Sequence, residues 1–309
     1  MTSPRRQLAL AVAATAAALV LAGCGDDPSS EAADPGATDD ASSPSSPAET
    51  TATSDPAPSE TGRIGSADST TVPVYFVGDG PNGPLLFREF RKVEADNPLD
   101  EAAALLTAGD TVDPDYRTLF PGGAFGEITY DEAGSRIEVT LSDDGWTIPG
   151  PGMSAADAKL AVQSLVYTLQ GVAQARAPIF VTLGGEATTL FGVDTSNGVE
   201  AAPPFDVLNL VNVTAPEEGA TVSGSFTAKG VASSFEATVP WQIRQGDQVV
   251  EEGFSTAEGW MDKLYPWETE VDVSGLAPGE YVFAAMTDDP SGGAEGHGPS
   301  EDTKTIVVE

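Results

Sequence analysis

Cysteine and histidine are almost missing from this chain of 309 residues, which holds one of each, Cys24 and His297. That scarcity excludes a disulfide framework, a Cys/His zinc site and a CxxC redox pair, and it leaves any histidine-dependent triad a single candidate. Positive charge is also short. Fourteen Lys and Arg stand against 48 Asp and Glu, a net charge of −34, too few cations to neutralise a phosphate backbone, so nucleic acid is excluded as a partner. The longest apolar run, residues 8–21, would reach only about 21 Å as a helix against a hydrocarbon core of about 30 Å, so it does not read as a permanent span. What remains is 40% hydrophobic, enough for packed cores, in a length that suits about two domains.

The N-terminus carries the most specific pattern. Arg5 and Arg6 precede the apolar run, which ends in Leu21-Ala22-Gly23-Cys24. This is the form of a lipoprotein signal peptide over residues 1–23, with Leu21, Ala22 and Gly23 recognised by the signal peptidase. The Cys24 thiolate is the one side chain there nucleophilic enough to take a diacylglyceryl group. The reading expects a chain held by lipid at the extracytoplasmic face of the cell membrane, and it assigns the only cysteine. From Gly25 to Thr71 the sole residue among Val, Ile, Leu, Met and the aromatics is Ile64, amid Pro, Ser, Thr, Ala and ten acids. Such a segment cannot offset its chain entropy by burial, so residues 24–71 read as the lipidated Cys and a disordered acidic linker.

Folded sequence is expected over 72–198 and 205–309. In the first region, strands are predicted at 72–77, 85–93, 126–131, 136–141 and 179–183, with a further extended piece near Leu190-Phe191. Asn97-Pro98 followed by Asp100 and Glu101 predicts a helix ending at Gly109. Ser154 and Asp157 have capping-box spacing before a periodic apolar run from Ala158 to Val172, which predicts a longer helix. The result is a β-β-α-β-β-α-β, α+β domain, with its helices on one face of a mixed sheet and its other face and edges free. After Pro203-Pro204 only strands are expected. Seven of them, at 210–213, 221–226, 234–244, 248–254, 268–273, 280–287 and 303–308, suit an all-β immunoglobulin-like sandwich.

The stretch from Ser164 to Leu169 (SLVYTL), then Pro178 to Gly185 (PIFVTLGG), Leu190-Phe191-Gly192 and the Gly134-Ser135-Arg136 turn resemble the GerMN domain of sporulation and spore germination. Val213, Pro216, Gly219, Val222, Gly224, Gly230, the run Phe235 to Val239 and Gly279 to Phe283 resemble the immunoglobulin-like domain of bacterial spore germination. That domain often follows a GerMN domain. The resemblance implies a role in sporulation, germination or envelope assembly, and it carries no catalytic group over to this chain, because the matching positions are core and turn residues.

Residues that could carry chemistry have plainer roles. His297 lies in a Gly-rich loop with nothing to fix it as a general base. Asp110, Asp113 and Asp115, and Asp288-Asp289 with Glu295, lack the spacing of a calcium loop, so no metal and no cofactor are expected. Trp260, Tyr265 and Trp267 could stack on sugar rings of peptidoglycan or fill the sandwich core, and the core is the expectation. The sequon Asn212-Val213-Thr214 is irrelevant in a bacterial host. The expected function is non-enzymatic: an anchored envelope scaffold that binds protein or cell wall, with self-association open to it. The rival readings are a cell-wall hydrolase using two carboxylates and a solute-binding lipoprotein.

Overall fold

The computed structural model describes residues 68–291 and 298–309. Cys24 with Leu21, Ala22 and Gly23, almost all of the linker, and His297 and Glu295 lie outside the described residues. In chain order, β1 (Ser69–Gly80), β2 (Gly83–Glu94), α1 (Pro98–Ala108), β3 (Phe125–Asp131), β4 (Arg136–Leu141), α2 (Ala155–Ala173) and β5 (Ile179–Leu183) follow the expected β-β-α-β-β-α-β order. Three two-residue strands come next, β6 (Glu186–Ala187), β7 (Thr189–Leu190) and β8 (Val193–Asp194).

The helices start where the sequence predicts. Pro98 occupies the first turn of α1, where a missing N–H costs nothing, and Gly109 closes the helix in the left-handed conformation. Ser154 caps α2 through a reciprocal pair: its hydroxyl accepts from the Asp157 N–H, and the Asp157 carboxylate accepts from the Ser154 N–H, each at 3.1 Å. The inward face of α2 buries Ala158, Ala161, Val162, Leu165 and Leu169 against Val74, Phe76, Ile137, Val139 and Ile179. Each buried Leu contributes roughly 1.5–3 kcal/mol.

The strands do not make one mixed sheet. β1 and β2 form a separate hairpin, β3-β4-β5-β6 form a second sheet with β4 and β5 parallel, and β7 and β8 form a small ribbon. The reason is the position of α2, which takes the edge of β1 that another strand would use. The Tyr75 N–H donates to the Thr168 hydroxyl at 3.0 Å, and Gly171 lies so close that a Cβ there would sit 2.5 Å from Pro73 Cγ. Beyond it, Val77 exchanges two 2.8 Å bonds with the backbone of Arg117.

A short helix, α3 (Pro204–Val207), leads into eight strands: β9 (Val211–Ala215), β10 (Ala220–Val222), β11 (Ser225–Ala232), β12 (Thr238–Gln245), β13 (Gln248–Thr256), β14 (Tyr265–Asp272), β15 (Gly279–Met286) and β16 (Glu301–Val308). They make two sheets, β10-β16-β15-β12-β13 and β14-β11-β9, packed as a sandwich around Val213, Ile243, Trp267, Val271, Phe283 and Ile306. The strand expected at 221–226 is two strands. Gly224, at φ 66°, turns the chain from the first sheet into the second. The strand expected from 234 starts at Thr238, because Glu236 and Ala237 adopt φ of 50° and 61°, which no ladder accommodates.

Candidate functional site: the seam between the two domains

The most organised group of charges joins the first domain to the second. In β2, Glu89 is buried, with Arg91 beside it at 3.4 Å. Its carboxylate accepts from the N–H groups of Val112 (3.0 Å) and Asp113 (2.9 Å), which holds the loop after α1 in place. That loop presents Asp113 and Tyr116 to β16. The Lys304 ammonium donates to Asp113 Oδ2 at 2.5 Å, to the Tyr116 hydroxyl at 2.8 Å and to Asp302 Oδ1 at 3.3 Å, so all three of its N–H groups are used. Tyr116 donates to Asp302 Oδ1 at 2.6 Å, and Asp302 Oδ2 accepts from the Val213 N–H at 2.6 Å and from Asn212 Nδ2 at 3.1 Å. The Lys304 ammonium also lies 4.6 Å from the centroid of the Tyr116 ring, and that ring packs on Phe87.

Burial depresses the Lys304 ammonium, but the attraction of Asp302 and Asp113 outweighs it and holds the group above its ordinary value. Tyr116 is pushed well up by burial and then by the carboxylates of Asp302 and Asp113. Burial raises Asp302, while Lys304, the Tyr116 hydroxyl and the Val213 N–H pull it the other way. The cluster is therefore a closed ring of donors and acceptors. A buried pair of this kind fixes geometry more than it adds stability.

The three aspartates of the triplet go to three different partners. Asp110 meets Arg91 at 3.0 Å, Asp113 meets Lys304, and Asp115 accepts from the Thr303 hydroxyl at 2.9 Å. They do not converge, and among the described residues no group of three His, Cys, Asp or Glu could hold a metal ion. Asp288 and Asp289 stand in a loop, where the Asp288 N–H donates to Ser234 and Asp289 accepts from Ser291. Trp267 lies in the sandwich core, as expected. Tyr265 donates to Asp262 at 2.8 Å and carries the Lys263 ammonium over its ring. Trp260 stays partly exposed, edge-on to Phe235 at 5.3 Å. Asn212 is buried against Asp302, so the sequon offers no accessible acceptor.

Of the strand edges expected to be free in the first domain, those of β1, β2 and β3 make contacts within the chain, while β6 ends its sheet exposed. β1 is covered as described. Leu86 of β2 accepts from the Asn209 N–H at 2.9 Å, and the Ile128 N–H of β3 donates to Asp100 of α1 at 3.1 Å. In the second domain β13 ends its sheet, with Val249, Val250 and Phe254 exposed. Among the described residues no helix is long and apolar enough to cross a membrane.

Residues 73–189 match the family model described as sporulation and spore germination, and residues 210–294 match the model described as the immunoglobulin-like domain of bacterial spore germination. The chain thus carries a GerMN domain followed by that immunoglobulin-like domain. Neither description is that of an enzyme. Among solved structures it is similar to the tandem GerMN domains of the sporulation protein GerM from Bacillus subtilis, at 15% identity and a TM-score of 0.35, over 66% of this chain. The match spans 62% of the length of that structure. Comparison with curated proteins found no match.

Proposed function

We propose that this chain is a non-enzymatic scaffold of the cell envelope, lipid-anchored through Cys24 at the extracytoplasmic face, which presents a GerMN domain and an immunoglobulin-like domain to a protein or cell-wall partner as one rigid unit. The observation that carries the reading is the seam. Asp113 and Tyr116 of the first domain and Asp302 and Lys304 of the second are joined by one continuous set of hydrogen bonds, so the best-arranged ionisable groups hold domain to domain. Fixed spacing between two modules is what a scaffold needs, and the descriptions of both families place such modules in sporulation and germination. The residues between Cys24 and β1, which begins at Ser69 rather than at the expected Val72, supply reach from the bilayer.

Cys24→Ala tests the anchor. Two or more acyl chains give stable attachment, so the parent is expected to stay with membranes through a high-salt wash, and the variant to be shed or to remain an uncleaved precursor. A variant that fractionates like the parent overturns the anchor. Incubation of the purified protein with peptidoglycan tests the rest: released muropeptides would replace the scaffold with a hydrolase.

A further inference from the structure

Among the described residues Lys304 is the one lysine that meets a carboxylate, and it meets two, Asp113 and Asp302. Every other ion pair uses an arginine, whose guanidinium keeps its charge and does not attack carbon. An amine does, once it gives up its proton. The three side chains are withdrawn from water, with 7% of Lys304, 2% of Asp113 and 1% of Asp302 exposed.

The two oxygens of Asp113 have different company. Oδ1 accepts from the Asp115 N–H at 2.9 Å, a fixed backbone donor at the oxygen where negative charge develops when the carboxyl carbon is attacked. Oδ2 meets the Lys304 ammonium at 2.5 Å, so the nitrogen stands beside the carbon that bears this oxygen, held there by the fold as intramolecular reactions require. Asp113 and Asp302 keep the Lys304 proton above its ordinary value, yet they are also its acceptors, and transfer within the pair replaces two buried charges with two neutral groups. Asp302 Oδ1 lies 3.3 Å from Nζ and is held by the Tyr116 hydroxyl at 2.6 Å. Burial raises Asp302, which suits a group that takes up a proton and gives it back.

We propose that Lys304 and Asp113 join in an isopeptide bond that closes the seam covalently, with Asp302 as the acid–base group and the Asp115 N–H as the donor to the developing oxyanion. The ammonium first passes a proton to Asp113 Oδ2. The amine then attacks Asp113 Cγ, the N–C bond forms and the charge moves to Oδ1. Asp302 takes a proton from the nitrogen and returns it to Oδ2, whose bond to Cγ breaks as water leaves and the Oδ1 carbonyl re-forms. Of the three protons on Nζ at the start, one stays on the amide and two depart with the water, so nothing is oxidised or reduced and no co-reactant is needed. The cleft of about 300 Å³ that Asp113 and Lys304 line gives the water a way out. The ion pair is the newly folded state, and the amide is what it becomes. The inference stands on the geometry of the seam and needs neither the anchor nor a partner.

Tryptic digestion of the aged, folded full chain, read by mass spectrometry, tests this. Trypsin cuts after Lys92, Arg117 and Lys263 but not after an acylated lysine, so the bond predicts one linked species, residues 93–117 joined to residues 264–309, lighter than the two together by one water. Fragmentation should place the link at Asp113. Asp302→Asn, shown to be folded by circular dichroism, should form the link about a hundredfold more slowly or worse, as loss of an acid–base group requires, and Asp302→Glu should recover part of the rate. If Asp302→Asn does not fold, the parent decides by itself. A folded, aged parent that releases residues 305–309 as a free peptide and yields no linked species overturns the proposal, as does a link from Lys304 to any other carboxyl. An unchanged rate in folded Asp302→Asn overturns the assigned chemistry. Each of these outcomes leaves the scaffold reading to its own tests.

Discussion

Lys304→Met is the sharpest perturbation of the seam. Methionine keeps much of the length of lysine and removes the charge, so packing changes little and the loss is electrostatic. Asp302 retains three donors, from Tyr116, Asn212 and Val213, but Asp113 Oδ2 loses the ammonium that meets it, in a side chain 2% exposed. Breaking a buried pair from one side costs about 3–5 kcal/mol, and the three donors left to Asp302 place this case near 3. With a urea slope of about 2–3 kcal/mol/M, the midpoint falls by about 1–1.5 M. The loss should also separate the domains. The far-ultraviolet helix signal comes mostly from α1 and α2 in the first domain, whereas Trp241, Trp260 and Trp267, followed in a Trp146→Phe background because Trp146 lies in the first domain's core, report on the second. The two probes should coincide for the parent and part for the variant. Adding Asp113→Asn, which removes the stranded charge, should return at least half of the lost stability. A midpoint shift below about 0.3 M, with the two probes still coincident, would refute the assignment of the seam as the joint.

Two further outcomes follow from the same structure. Tyr116 and Lys304 both hold their protons more tightly when folded, so above pH ~10 the unfolded chain releases protons that the folded chain keeps. Stability is therefore fully present below that pH and falls as pH rises, by up to about 1.4 kcal/mol per unit for each group; thermal melts between pH 8 and 11 should show the fall, and an unchanged or rising melting point would contradict it. Gly230→Ala would place a Cβ 1.9 Å from the backbone oxygen of Asn212 and 3.0 Å from Trp267, a clash with atoms that cannot turn aside, and should cost about 1–3 kcal/mol or more; Gly150→Ala, which meets nothing within 4 Å, should be near neutral in the same urea titration.

The local elements were legible because their signals are local. The Ser154 and Asp157 pair and the apolar spacing behind it specify α2, and the alternation at Ile137, Val139 and Leu141 specifies β4. Sheet membership was not, because nothing within β1 says that a helix will take its edge. The split of 221–226 depends on the backbone angle at Gly224, which a strand-like run of side chains conceals. The seam had one readable sign. In β16 the period of two places Asp302 and Lys304 on the face of Ile306 and Val308, and the burial follows that alternation; a lysine and an aspartate on an inward face call for partners. Which partners they find could not be read, since Asp113 is 191 residues from Lys304, and no local pattern spans that separation.

The position of that strand sets an order of events. A chain delivered N-terminus first exposes Asp113, Tyr116 and the Glu89 that supports them long before Lys304 exists. At about 5–20 residues per second, the 191 residues between Asp113 and Lys304 correspond to a wait of roughly 10–40 s, during which the first domain has a carboxylate and a phenol open to water where its neighbour will later dock. Closure comes with β16, so a chain cut short within it forfeits the joint as well as the strand. Arrival of β16 is thereby written into the electrostatics of a loop that precedes it by 191 residues.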